Sequence, residues 1–67
     1  MKLTLKQWRG AREISQREMS ERLGVSSNGY LKWEKEPQNI KIGYAIRIAE
    51  ILGVSIDEID FSKGKMA

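Results

Sequence analysis

The sequence predicts an all-α fold, a compact bundle of five short helices, and three observations carry that prediction. Capping-box spacing, Ser or Thr followed three residues later by Gln or Glu, occurs at Thr4 with Gln7, Ser15 with Glu18 and Ser55 with Glu58. Each box is flanked by an apolar pair at hydrophobic-staple spacing: Leu3 with Trp8, Ile14 with Met19, and Val54 with Ile59. No segment alternates like a strand, and there is no internal repeat, low-complexity tract or interdomain linker. With 67 residues the chain has room for one domain.

The elements follow in order. A first helix, about 4–12, opens at the Thr4 box, and a second, 16–23, opens at Ser15. After Gly24 and Val25, Ser26 can cap a third helix, 27–36, with Val25 and Tyr30 at staple positions and Pro37 forcing a stop. Past Gln38 and Asn39, the residues Ile42, Ala45, Ile46, Ala49 and Leu52 recur at three- and four-residue spacing, and Gly53 supplies a left-handed ending. This fourth helix, 41–52, carries a second apolar stripe of Tyr44, Ile48 and Ile51. It is therefore read as central, or as having one face against a second subunit. A fifth helix, 56–61, opens at Ser55. Residues 1–61 form the domain, and 62–67 form a polar, flexible tail.

Composition narrows the function. There is no cysteine and no histidine, so disulfides, thiolate metal sites and the commonest general base are all missing. Nothing points to catalysis, a cofactor, a metal or a small-molecule ligand. The apolar runs are too short to span a bilayer, and the first residues lack a signal-peptide core; a soluble cytoplasmic protein is expected. Twelve basic residues against nine acidic ones give a net charge of +3, compatible with a polyanionic partner. Lys2, Lys6, Arg9 and Arg12 precede any acid, whereas Asp57, Glu58 and Asp60 gather near the far end. Acids at the start of a helix are explained by capping and the macrodipole rather than by a metal site.

The connection between the second and third helices is only Gly24, Val25 and Ser26. So short a link makes a tight corner rather than a side-by-side hairpin. Met19, Leu23, Val25, Tyr30 and Trp33 are expected inside it. Ser27, Asn28 and Lys32 are then left outward at the leading end of the third helix, where they suit a major groove. Asn28 can bracket adenine, Lys32 can donate to guanine, Ser27 can do either, and Leu31 can touch a thymine methyl. Phosphate contacts are expected to flank them. Gln16 and Ser26 sit at helix starts, and Lys35, Gln38, Asn39 and Lys41 lie at or beyond the far end of the third helix. Arg17 and Arg22 can serve the same purpose or pair with neighbouring glutamates. Trp8 and Trp33 fall on inner faces and are read as core. Ile56, Ile59 and Phe61 partly cover the core, and any that remain exposed could form a dimer seam with Ile48 or Ile51.

The run from Ser15-Gln16-Arg17-Glu18 through Leu23-Gly24-Val25-Ser26, followed by Lys32-Trp33-Glu34, resembles the phage Cro and repressor type of helix-turn-helix. The run Ile48-Ala49-Glu50-Ile51-Leu52-Gly53-Val54-Ser55-Ile56-Asp57-Glu58-Ile59 looks like the closing helices of that lambda repressor-like family. The resemblance implies a five-helix bundle that binds double-stranded operator DNA as a homodimer and regulates transcription in a prokaryotic cell or phage-infected host. It implies a phosphate contact for Gln16 and base contacts for Ser27, Asn28 and Lys32. It also implies an ion pair between Arg9 and Glu34 that steers Arg9 toward a phosphate. Four positions depart from the pattern: Glu13 for a helix-ending glycine, Ser20 for alanine, Gly29 inside the recognition helix, and Tyr30 for a branched aliphatic. The alternative reading is a helical protein-interaction module, antitoxin-like or an anti-repressor component, using the same apolar seam.

Overall fold

The computed structural model describes residues 2–62, and four α-helices form its body: α1 (Leu5–Ala11), α2 (Gln16–Leu23), α3 (Ser27–Lys35) and α4 (Ile42–Leu52). Beyond Ser62, the tail expected over 62–67 lies outside the described residues. Two 3-10 turns, Pro37–Asn39 and Ile56–Glu58, and two short strands, β1 (Leu3–Thr4) and β2 (Ile59–Asp60), complete the chain. None of the described helices is long and apolar enough to cross a membrane.

The caps act largely as the spacing predicts. The Gln7 amide N–H donates to Thr4 Oγ1 at 3.2 Å, and the Thr4 N–H donates back to Gln7 Oε1 at 2.9 Å. Ser15 Oγ accepts from the Glu18 N–H at 3.0 Å, but that box closes only halfway. The Glu18 carboxylate turns instead to Arg22, 2.7 Å away and one helical turn on.

Three helix endings share one construction. In each, a residue with positive φ is followed by a β-branched residue and then a serine: Glu13-Ile14-Ser15, Gly24-Val25-Ser26 and Gly53-Val54-Ser55. The paired backbone bonds are those of a Schellman ending. Ile14 N–H reaches Arg9 O and Glu13 N–H reaches Gly10 O; Val25 N–H reaches Ser20 O and Gly24 N–H reaches Glu21 O. At the third ending, Val54 N–H reaches Ala49 O and Gly53 N–H reaches Glu50 O. The unit turns the chain sharply while satisfying carbonyls that the helix leaves open. Arginines from other elements take further carbonyls. Arg12 Nε donates to Leu52 O at 2.7 Å, and Arg47 reaches Arg22 O at 3.1 Å and Leu23 O at 3.3 Å.

The expected fifth helix over 56–61 does not form. It stops after the turn Ile56–Glu58, and Ile59–Asp60 then extends and pairs in parallel with Leu3–Thr4, Leu3 opposite Ile59 and Thr4 opposite Asp60. Non-local partners outcompete the helix here. Trp8 Nε1 donates to the Glu58 carbonyl at 2.8 Å, occupying an acceptor that a continuing helix would use. Ile59, two residues before Phe61, buries its side chain fully, and Phe61 packs beside the core. β-Branched and aromatic residues favour extended chain. Asp57 and Glu58 keep the capping role expected of them: Ser55 Oγ donates to Asp57 Oδ1, and the Ser55 N–H donates to Glu58 Oε1.

The core joins Leu5, Ile14, Met19, Leu23, Tyr30, Ile48, Ala49, Leu52 and Ile59. Trp8 and Trp33 pack against its margin, half-buried. Helix α4 is central but not covered all round: Ile42 and Ile46, expected on its inner stripe, are 68% and 46% exposed. Ile48 is fully buried within the monomer and so cannot line a dimer seam. The helical phase explains the exchange. Ala45, Ile48, Ala49 and Leu52 share the inward face, and Ile42 and Ile46 stand one above the other on another.

Candidate nucleic-acid interface

Helix α3 leaves α2 through Gly24, whose φ of +72° makes the corner possible. Met19, Leu23 and Tyr30 are fully buried inside that corner, with Val25 and Trp33 packed at its edge. This burial decides which side of α3 faces out. Ser27, Asn28 and Lys32 are exposed along its first turns, and Leu31 beside them is half-buried. Asn28 and Lys32 make no hydrogen bond or ion pair among the described residues, so their polar groups face solvent uncommitted.

The start of α3 is well formed despite Gly29. Ser26 Oγ accepts from the Gly29 N–H at 3.0 Å, and a Cβ on residue 29 would stand 3.1 Å from that oxygen, a tight approach that glycine avoids. The helix runs on unbroken to Lys35. Ser20, almost fully buried where α2 meets α3, donates to Arg17 O at 2.7 Å and lies 3.4 Å from Ser27 Oγ. The serine found in place of alanine thus touches one of the candidate base-reading residues.

The most heavily bonded group on this face is Glu34. Its Oε2 accepts from Arg9 Nε at 2.6 Å and from Tyr30 Oη at 2.7 Å. Its Oε1 accepts from Gln16 Nε2 at 3.0 Å and from Arg9 Nη2 at 3.3 Å. Arg9 also donates from Nη1 to Ile14 O at 2.9 Å, which joins α1, α3 and the start of α2. The Glu34 side chain is only 4% exposed. Burial alone would raise its carboxyl, but the donors Arg9, Tyr30 and Gln16 outweigh that and hold it below the ordinary carboxylate range. Burial first, and then the hydrogen bond to Glu34, pushes the Tyr30 phenol well above its usual range, so it stays a neutral donor. The bond to Glu34 raises the Arg9 guanidinium. The expected Arg9 to Glu34 pair is therefore present, and it is larger than a pair.

The remaining candidates surround α3. Arg17 pairs loosely with Glu21 at 3.3 Å, both exposed, an arrangement that contributes little to stability and is easily exchanged. Gln38 and Asn39 lie in the turn Pro37–Asn39, with Asn39 Nδ2 donating to Glu36 Oε1 at 2.9 Å. Lys35 and Lys41 are exposed and form no ion pair among the described residues. Lys32, Trp33, Lys35, Glu36 and Asn39 line an open cleft of about 430 Å³ at the far end of α3. The structure gathers Ser26, Ser27, Asn28, Leu31, Lys32 and Lys35 on α3 and its cap, and links Gln16 to α3 through Glu34. In the basic N-terminal segment Lys2, Lys6 and Arg12 are exposed and Arg9 is half-buried, with Arg9 bonded to Glu34 and Ile14 O and Arg12 to Leu52 O. Arg12 also lies over the Trp8 ring, 5.2 Å from its centre.

Sequence reasoning missed the Tyr30 hydroxyl and the Gln16 bond to Glu34. The first was legible, since Tyr30 and Glu34 are one helical turn apart. The second joins two helices and had no local signal.

A family model described as helix-turn-helix matches residues 5–59, from the first residue of α1 to the first residue of β2. Comparison with curated proteins and with solved structures finds no match.

Proposed function

Because the chain belongs to the Cro/repressor-type helix-turn-helix family, we propose that it is a sequence-specific transcriptional regulator, a Cro-like or phage-type repressor that reads a two-fold operator with α3. One observation carries the reading: Asn28 and Lys32 stand exposed and uncommitted at the leading end of a helix whose opposite side is locked into the core. A helix so presented fits a major groove about 12 Å wide. Asn28 then brackets adenine, Lys32 donates to guanine, Ser27 makes a short polar contact, and the exposed part of Leu31 meets a thymine methyl.

Phosphates on either side hold the register. Gln16 has a second amide N–H beyond the one given to Glu34, and Ser26 keeps its hydroxyl proton while accepting from Gly29. Arg17, Lys35, Gln38, Asn39 and Lys41 supply further donors around α3. Arg9 has three of its five N–H groups committed within the monomer, and its contribution comes from the remaining two. The DNA-binding unit runs to residue 61.

The described residues span 30 × 22 × 22 Å, enough for one half-site. Useful specificity then requires a second copy about 34 Å away along the duplex, one helical turn. The exposed pair Ile42 and Ile46 offers apolar surface for that second copy.

Selection of bound duplexes from a random pool tests the proposal. The expected product is a palindromic consensus, and Asn28→Ala and Lys32→Ala should each weaken binding to it by about 1–3 kcal/mol with the fold intact. Affinity should fall steeply with salt as lysines and arginines displace counterions. A chain that enriches no sequence and ignores nonspecific duplex at low salt is not a DNA-binding regulator.

A further inference from the structure

We propose that Tyr30 is a positioning residue for DNA binding: acting through Glu34, its buried hydroxyl fixes the Gln16 amide where a phosphate contact is made. The inference rests on the DNA-binding reading above and deepens it. It starts from the division of labour on Glu34. Oε2 is held by two short bonds, from Arg9 Nε at 2.6 Å and Tyr30 Oη at 2.7 Å, whereas Oε1 receives Gln16 Nε2 at 3.0 Å. A carboxylate turns as a rigid plane about its last torsion, so fixing one oxygen sets where the other lies. Tyr30 is fully buried and Glu34 nearly so, and neither can drift. Gln16 is half-exposed at the first residue of α2, and a free glutamine has several rotatable bonds to immobilise before it can hold a phosphate.

Tyr30 is suited to this duty in a way Arg9 is not. Arg9 also carries Ile14 O and bridges both carboxylate oxygens, so removing it dismantles the corner. The Tyr30 ring fills the core and meets Trp33 edge-on, with centroids 6.5 Å apart. Tyr30→Phe keeps that ring and leaves Oε2 still bonded to Arg9, so no buried acceptor is stranded. What it releases is one of the two short bonds that hold Oε2, leaving the carboxylate to Arg9 and Gln16. The preorganisation of Gln16 before DNA arrives is then reduced.

The test is a double-mutant cycle on the selected operator with the parent chain, Tyr30→Phe, Gln16→Ala and the double variant. Tyr30→Phe should lower affinity about threefold to tenfold, the scale of one charge-assisted bond partly transmitted. In the Gln16→Ala background its effect should largely vanish, and ethylation interference should fade at the phosphate facing Gln16. Equal losses in both backgrounds, or a lowered melting temperature with unchanged affinity, would overturn the proposal. NMR relaxation of side-chain amides judges it in the parent chain as well. The Gln16 amide should be more ordered than that of exposed Gln38, and equal mobility defeats the idea even if Tyr30→Phe folds poorly. A parent chain that selects no duplex refutes the regulator reading, while the relaxation comparison still decides whether Gln16 is held.

Discussion

Glu13→Gly should stabilise the protein. Glu13 sits at φ +57°, the one non-glycine residue at positive φ among those described, where it closes α1 with the same bonds that Gly24 and Gly53 supply for α2 and α4. Holding an L-residue in that region costs about 1–2 kcal/mol. The acid also lies beside the negative end of the helix, at a further cost of about 0.3–1 kcal/mol when exposed. Against this, glycine gives the unfolded chain extra freedom, a loss of about 0.5–1 kcal/mol. The side chain is exposed and makes no hydrogen bond or ion pair among the described residues, so nothing else is given up. The balance is a gain of about 1 kcal/mol, which in a domain this small raises Tm by about 4–8 °C. Circular dichroism melts and urea titration read it directly, and the urea midpoint should rise at constant m. Glu13→Ala removes the charge while keeping the strained conformation, and should recover only the electrostatic part. A midpoint that is unchanged or lower in Glu13→Gly would refute the strain argument.

The two remaining predictions concern the Glu34 cluster and the exposed face of α4. Because the folded protein holds the Glu34 carboxyl below its ordinary value, its contribution is fully present above that value and is lost as pH falls through the lowered one. Melting temperature should therefore drop on acidification. Glu34→Ala should cost about 3 kcal/mol at neutral pH, because it strands the Arg9 guanidinium, and should flatten that acid limb; an unaltered pH profile would remove Glu34 as its source. Ile46→Lys, placed on exposed surface, should alter stability by less than about 0.5 kcal/mol yet weaken binding to a two-fold operator. Equal affinity of parent and variant at all protein concentrations would exclude this face as the contact between copies.

The helix starts were readable because a cap is local chemistry. Thr4, Ser15 and Ser26 satisfy orphan N–H groups within three residues, whatever the rest of the chain does. The exposure of Ser27, Asn28 and Lys32 followed from the same kind of reasoning: a link of Gly24, Val25 and Ser26 permits only a sharp corner, and burial of Tyr30 sets the phase of α3. Periodicity was less decisive in α4, where two apolar stripes compete for one core. Packing chose Ile48 for the interior and left Ile42 and Ile46 outside, which nothing in their spacing distinguishes.

By itself, then, the sequence determined four helices, the side-chain caps of the first three, the corner between α2 and α3, and the residues that α3 presents. All of these depend on neighbours within about one or two helical turns. Tertiary structure alone decided the fate of the last segment and the wiring of Glu34. Ile59 and Asp60 leave the helix because Leu3 and Thr4, from the other end of the chain, pair with them, while Trp8 takes the Glu58 carbonyl just before. Gln16 meets Glu34 only after the corner has folded. Local hydrogen bonds can be read from a string of residues, but competition between partners distant in the chain is settled only when the fold brings them together.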